Sequence, residues 1–244
     1  MGEGLAEALA GYRGACMKEE WETAALGAVY DTSEYAWEPT RAYLERYGAT
    51  PGREALLVGM NPGPWGMAQT GVPFGDVVAV RDWMGIEEPV GKPPQEVAKR
   101  QIVGFDLTRR EGSGKRLWGW AQERFGTPEA FFSRFFVWNY CPLLFLDTTN
   151  CRNRTPDKLF KADRDALYPT CDAMLRVVAE HIQPKWILGV GKFGEARARD
   201  VFEEGEYRIG SILHPSPASP KANRGWAPQA EAELDALGVA WRVE

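Results

Sequence analysis

The chain has 244 residues, 44% of them apolar, and a formal net charge of −5; ten Trp and eleven Phe supply ample core material. That suits one globular domain, and it excludes broad, sequence-blind coating of nucleic acid, which needs excess cations, while leaving room for a local basic rim. No window approaches ~18 consecutive apolar residues, no basic leader precedes an apolar run, and the four Cys form no C-x-x-C pair.

These features predict an intracellular protein with reduced thiols and no membrane span, and a monomer is expected; a four-Cys iron–sulfur arrangement is the alternative use of the cysteines. The chain reads as one domain over 1–244, with 1–50 as a helical N-terminal extension packed on it. Helices are expected over 5–21 and 39–47, the second closed by Gly48 and a Pro51-Gly52 turn. Ala55–Gly59 follows as a short apolar strand. It spills into a loop rich in Gly and Pro and almost free of charge, carrying Met60, Asn61, Gln69 and Phe74. Asp76 is placed to cap a helix over 77–84.

Residues 85–113 read as irregular and lead into the basic cluster Arg109, Arg110, Lys115 and Arg116. Helices are expected over 115–125 and, opened by Thr127-Pro128, through 134. The β-rich run 135–140 is halted by Cys141-Pro142, and 146–156 reads as polar loop. A long helical pattern over 158–182 is expected to be interrupted at Pro169. Strand 185–190, helix 195–202, strand 207–213 and helix Trp226–Leu237 complete the chain. Strands alternating with helices predict parallel crossovers and a three-layer α/β domain. Four strands end in Asn61-Pro62, Asn139 to Pro142, Gly189 to Gly191 and His214-Pro215. Parallel strands would bring those ends to one edge, where such folds bind ligands.

Gly189-Val190-Gly191-Lys192-Phe193-Gly194 fits G-x-G-x-x-G. It sits late in the chain and lacks the acidic residue about twenty positions on that a dinucleotide site wants. Amides at Gly191 and Lys192 facing a phosphate are the better reading. The Gly-Ser-Gly-Lys run 112–115 lacks the remaining P-loop residues. Only two His exist, which excludes a His-rich metal site. His181 ends a helix and suits a surface role, whereas His214 leaves an apolar strand at the presumed ligand edge. Asn61 and Asn139 either start turns or place amides in that cleft.

GMNPGPWGMAQTGVPFG (59–75), NYCPLLF (139–145) and HPSP followed by KANRGW (214–226) resemble the single-strand-selective monofunctional uracil-DNA glycosylase family, in this order and over about residues 20–240. The resemblance implies a four-stranded parallel sheet flanked by helices, hydrolysis of the bond between uracil and deoxyribose, and neither cofactor nor metal. It implies that Asn61 holds the attacking water and that His214 faces the uracil O2 side. Asn139 would pair with the N3–O4 edge and Phe74 stack on the ring. Met60, Gly63 and Met67 would line the pocket, with room near C5 for 5-hydroxymethyluracil.

The partner implied is uracil-containing DNA, single- and double-stranded, met by a rigid wedge. The wedge comprises Ser216, Pro217, Ala218, Ser219, Lys221, Asn223 and Arg224, with Gly191 and Lys192 beside it. Vertebrate members carry Arg at the Ala218 position, Phe usually stands at Trp65, and vertebrates have His at Trp138. Cytoplasm in a bacterium, or nucleus in a eukaryote, is the expected location.

The residue chemistry agrees. An amide can accept from uracil N3–H and donate to O4 at once, while cytosine offers the reverse pattern. A neutral Asn61 can only orient water, which shifts the burden to a donor on the departing base. Two alternatives stay open: a relative preferring deaminated purines such as xanthine or hypoxanthine, and a nucleic-acid-binding module without catalysis.

Overall fold

The computed structural model of the protein describes residues 4–242. Before residue 50 the chain is only partly helical. α1 (Leu5–Ala10) stops at Gly11, well short of the expected residue 21, and Gly14 at φ +69° turns the backbone away. β1 (Leu26–Asp31) follows, a strand absent from the sequence reading. Asp31 accepts the Ser33 amide and opens α2 (Thr32–Tyr35), which leads into α3 (Trp37–Tyr47). β2 (Ala55–Gly59) is buried along its whole length, as a strand covered on both faces must be. Within the loop after it lies α4 (Met67–Thr70), ended by left-handed Gly71.

The helix expected over 77–84 is a short turn that widens to π geometry over Ala79–Trp83. Asp76 does not cap it. Its fully buried carboxylate instead takes the Arg110 guanidinium, Nη2–Oδ2 2.6 Å, and the Glu111 amide at 3.0 Å. Glu111 in turn caps α5 (Gly112–Phe125) by accepting from the Gly114 amide. Thr127 caps α6 (Pro128–Arg134), with Pro in the first turn, where its missing N–H costs nothing.

β3 (Phe135–Asn139) is followed after a three-residue turn by β4 (Leu143–Asp147), and β5 (Asn153–Arg154) returns alongside it. The stretch read as polar loop thus contains strand. α7 (Lys161–Ile182) runs unbroken through Pro169. The carbonyl that Pro169 leaves without a donor belongs to Asp165, which is exposed, so water serves it. β6 (Trp186–Val190), α8 (Lys192–Val201), β7 (Arg208–Ile212) and α9 (Trp226–Leu237) complete the order.

The main sheet has order β3-β2-β6-β7 with every pair parallel, so the expected four-stranded parallel sheet between helices is present. A second sheet, β1-β4-β5, is antiparallel. An aromatic cluster between α3, α5, α6 and β3 forms much of the core; Tyr47 stacks on Phe132 at 4.0 Å and Tyr43 on Phe136 at 5.2 Å. Cys16 and Cys171 lie 3.7 Å apart in this core, with Cys141 beside Cys171, and all the cysteines are free. Among the described residues no helix is long and apolar enough to cross a membrane.

Asp163 ties the segment between α1 and β1 to α7. Its buried carboxylate accepts from Lys18 Nζ at 2.7 Å, the Glu22 amide at 3.1 Å and the Thr23 amide at 2.7 Å. Burial pushes the carboxyl up, but these donors outweigh it and bring it down to about 2. The stabilisation is therefore whole above pH 3.8 and is lost as pH falls through about 2. Asp163→Ala should lower unfolding free energy by about 3 kcal/mol. Urea melts at neutral pH measure this, and the variant should also lose part of the wild-type acid sensitivity.

Candidate active site

At the carboxyl edge of the parallel sheet lies a cavity of about 250 Å³. Met60, Asn61, Gly63, Met67, Phe74, Asn139, His214 and Ser216 all line it. They come from the ends of β2, β3 and β7 and from the loop after β2, so the strand ends converge as the alternation of elements predicted.

Parallel register sets Gly59 opposite Asn139. A Cβ at Gly59 would stand 2.1 Å from Asn139 Oδ1 and 2.7 Å from Phe74 Cε2, so only hydrogen fits there. Asn139 Nδ2 donates to Met67 Sδ at 3.1 Å. Its Oδ1 is buried and has no hydrogen-bond partner among the described residues. Such an acceptor is costly to leave unmade, on the order of 1–3 kcal/mol.

Phe74 adopts φ +54°, a left-handed conformation that costs a bulky residue about 1–3 kcal/mol and must be held by its surroundings. α5 provides the hold. Trp118 Nε1 donates to the Phe74 carbonyl at 3.0 Å, and Gly114 admits that carbonyl where a Cβ would lie 1.9 Å from it. The Phe74 and His214 rings stand 5.8 Å apart, tilted by 47°.

The Ser216 amide donates to His214 Nδ1 at 3.0 Å. An accepting Nδ1 makes the ring neutral and puts its proton on Nε2. Burial acts in the same direction and pulls the imidazole down to about 4. Asn61 is held on its amide side: Nδ2 donates to the Leu143 carbonyl at 3.0 Å and to Asn153 Oδ1 at 3.1 Å.

Glu111, Ser113, Asn153 and Thr155 also line the cavity, and sequence reasoning missed them. Glu111 comes from outside the nearly uncharged loop after β2 and brings a carboxyl to the cavity wall. Burial raises its carboxyl, with the Gly114 and Ser113 amides working against that shift. Asn153 was hidden in a polar loop. Gln69, by contrast, braces the loop: it donates to the Pro64 and Gln101 carbonyls and accepts from the Val103 and Gly104 amides.

Of the wedge residues only Ser216 reaches the cavity. Asn223 works inside the loop, accepting from Arg116 at 2.7 Å and donating to the Pro217 carbonyl at 2.9 Å. Arg116 also holds the Pro215 and Ser216 carbonyls at 3.1 and 3.2 Å. Ser219 Oγ accepts from the Ala222 amide, and Lys221 is paired with Glu233 at 3.1 Å. Pro217 and Ala218 are exposed at the tip, as is Arg224 further on. Gly191 sits against His214, its missing Cβ 3.2 Å from the histidine Cβ, and Lys192 bonds Glu195 and Ser211. His181 lies in the last turn of α7 with Nδ1 2.8 Å from the Val177 carbonyl.

No protein-family model matches the sequence. The chain is 46% identical over 216 residues to a single-strand selective monofunctional uracil DNA glycosylase of Bos taurus, covering 88% of this chain and 79% of that protein. It is 45% identical to the protein of that name from Mus musculus over the same 88% of this chain and 77% of the relative. The crystal structure of wild-type Pedobacter heparinus SMUG2 superposes with a TM-score of 0.69 at 19% identity, over 96% of this chain and 97% of that one, a likeness of fold. Identity at this level across this much of both chains places the protein in the single-strand selective monofunctional uracil-DNA glycosylase family.

Proposed function

We propose that the protein flips uracil out of DNA and releases it by hydrolysis, with Asn61 holding the water and His214 stabilising the departing base. The observation that carries this reading is the buried, unpartnered Asn139 Oδ1 in the same cavity as Asn61 and the Nε2–H of His214. Uracil N3–H would satisfy that oxygen, while Asn139 Nδ2 turns from Met67 to O4. Cytosine presents a lone pair at N3 and leaves the acceptor bare, which a buried site penalises heavily.

Flipping costs a few kcal/mol. Stacking on Phe74, about 1–3 kcal/mol, and the edge hydrogen bonds offset that cost. As the bond to the sugar breaks, negative charge grows on the base, and an oriented neutral donor at His214 meets it where water is scarce. Glu111 adds a carboxyl to the cavity wall, but its bonds to the first turn of α5 make it a structural cap in this reading.

5-Hydroxymethyluracil is proposed as a second substrate, because nothing lies within 4 Å of where a Gly63 Cβ would stand. Both single-stranded and duplex DNA are proposed as substrates. The methyl of Ala218 is too small to fill the gap a flipped base leaves, so the single strand, which has no gap to fill, should be cleaved faster.

Release of free base from oligonucleotides carrying uracil, 5-hydroxymethyluracil, xanthine or hypoxanthine is the first test. Uracil and its 5-hydroxymethyl form should be released; preference for the purines would favour the deaminated-purine reading, and no release at all a binding module. His214→Ala should lower the single-turnover rate by about 10²–10³, and a nearly unchanged rate would remove that residue from its role.

Nitrogen NMR should find His214 neutral with its proton on Nε2 from about pH 8 to 5. Because the folded ring binds its proton more weakly than the unfolded one, its protonation costs stability as pH falls from 6.5 towards about 4. A titration near 6.5 would contradict the buried, accepting Nδ1. Asn139→Asp, by altering the donor pattern, should relax discrimination against cytosine; a variant still blind to cytosine in a base-release assay would move base reading elsewhere.

A further inference from the structure

The Asn61 side chain belongs to a closed pair of amides. Asn61 Nδ2 donates to Asn153 Oδ1 at 3.1 Å, and Asn153 Nδ2 returns a longer bond to Asn61 Oδ1 at 3.4 Å. Each amide is anchored a second time on backbone: Asn61 Nδ2 on the Leu143 carbonyl at 3.0 Å, and Asn153 Nδ2 on the Pro62 carbonyl at 3.2 Å. A carbonyl oxygen only accepts, so the atom facing each must be nitrogen. The chemistry of the partners therefore forces both amide orientations. Both N–H bonds of Asn61 are taken, while its oxygen carries only the long bond from Asn153 and keeps acceptor capacity for a water.

We infer that Asn153 is a positioning residue that, with the Leu143 carbonyl, locks the polarity and placement of Asn61, so that the bound water must donate to Asn61 Oδ1 and keep a lone pair for the sugar. The inference rests on the proposed water-holding role of Asn61. An Asn61 amide turned by half a rotation would present N–H instead. That N–H would bind the water through its oxygen, taking one of its two lone pairs and drawing electron density from the other, which must form the bond to carbon. Asn153, together with the Leu143 carbonyl, thus decides which end of the water faces the substrate.

The fold gives Asn153 the rigidity this needs. Leu146 pairs with Asn153 and Phe145 with Arg154 in the antiparallel ladder, and the Asp147 amide donates to the Arg152 carbonyl at 3.0 Å. Asp147 Oδ1 accepts from the Thr149 and Asn150 amides and shapes the turn between the strands. Leu143, which holds the other Asn61 hydrogen, opens the neighbouring strand β4. The second sheet therefore holds Asn61 from two adjacent strands.

The test is a double-mutant cycle on single-turnover release of uracil from a single-stranded oligonucleotide. Asn61→Ala alone must lose rate; if it does not, the water-holding reading itself falls. Given that loss, Asn153→Ala should lower the rate roughly ten- to a hundredfold in the Asn61 background and have almost no further effect in the Asn61→Ala background. Its affinity for an oligonucleotide carrying 2′-fluoro-2′-deoxyuridine should stay within about twofold of wild type.

Asn153→Asp, nearly isosteric, supplies a second readout. Its protonated form can accept from Asn61 and donate to the Pro62 carbonyl as the amide does, while its charged form cannot donate. Its rate relative to wild type should therefore climb as pH falls. A loss smaller than about threefold for Asn153→Ala, an equal loss in the Asn61→Ala background, or an Asn153→Asp rate ratio flat with pH would overturn the inference while leaving the role of Asn61 standing.

Discussion

The pocket depends on one position without a side chain. Gly59 ends β2 opposite Asn139, and the space where its Cβ would stand is taken by the Asn139 amide and the Phe74 ring. Parallel pairing fixes the height of Asn139 on the neighbouring strand, so the amide reaches the cavity only because the central strand gives way there. The ring arrives from the other direction, along a loop whose left-handed Phe74 would relax if it were not tethered. Trp118 and Gly114 of α5 clamp its carbonyl. Strain at a site is sustained when neighbours over-determine it, and α5 is anchored at its start by the Asp76–Arg110 pair.

The net acidity of the chain and the chemistry of DNA are reconciled by where the cations are committed. Of the basic cluster noted in the sequence, Arg110 is paired with buried Asp76, and Arg116 braces the wedge loop from beneath. Arg109 lies over the Trp65 ring at 4.6 Å, with Arg100 over the same ring at 5.0 Å. Trp65 thus holds two guanidinium groups beside the loop that forms the cavity. Lys221 is paired with Glu233. Positive charge at this edge is organised by aromatic and carbonyl partners, consistent with a surface that meets DNA locally.

Much of this was legible in the sequence, and the parts that were not share a cause. The four parallel strands are short apolar runs punctuated by Gly, Pro and Asn, a strong local signal. Their ends, at Asn61, Asn139 and His214, were therefore placed correctly on one edge. The second sheet left no such signal. β5 is two residues long, too short for any period, and β4 follows Cys141-Pro142 so closely that the turn read as an end. β1 lay in a segment whose Leu and Ala content favours helix. Tertiary pairing, with β4 bonded to strands on both sides, decides all three. Asp76 was misread because a cap and a buried ion-pair partner look alike until Arg110 is located, and Pro169 because an exposed helix face lets water serve the freed carbonyl.

Those unread strands matter because the two sheets divide the labour. In the proposed reaction the parallel sheet presents the base-facing groups and the antiparallel sheet holds the water-facing amide. Neither side offers a charged catalyst, since Asn61 is neutral and burial keeps His214 neutral as well. A cationic imidazole would bind any electron-rich base tightly in the ground state, which does not lower the barrier. A neutral Nε2–H, fixed by the Ser216 amide behind it, interacts weakly with uracil and strongly with the anion it becomes. The same burial that depresses the histidine therefore sharpens its preference for the transition state. It follows that the Ser216 turn, at the root of the proposed DNA-facing loop, also sets the tautomer on which departure of the base would rely in that reaction.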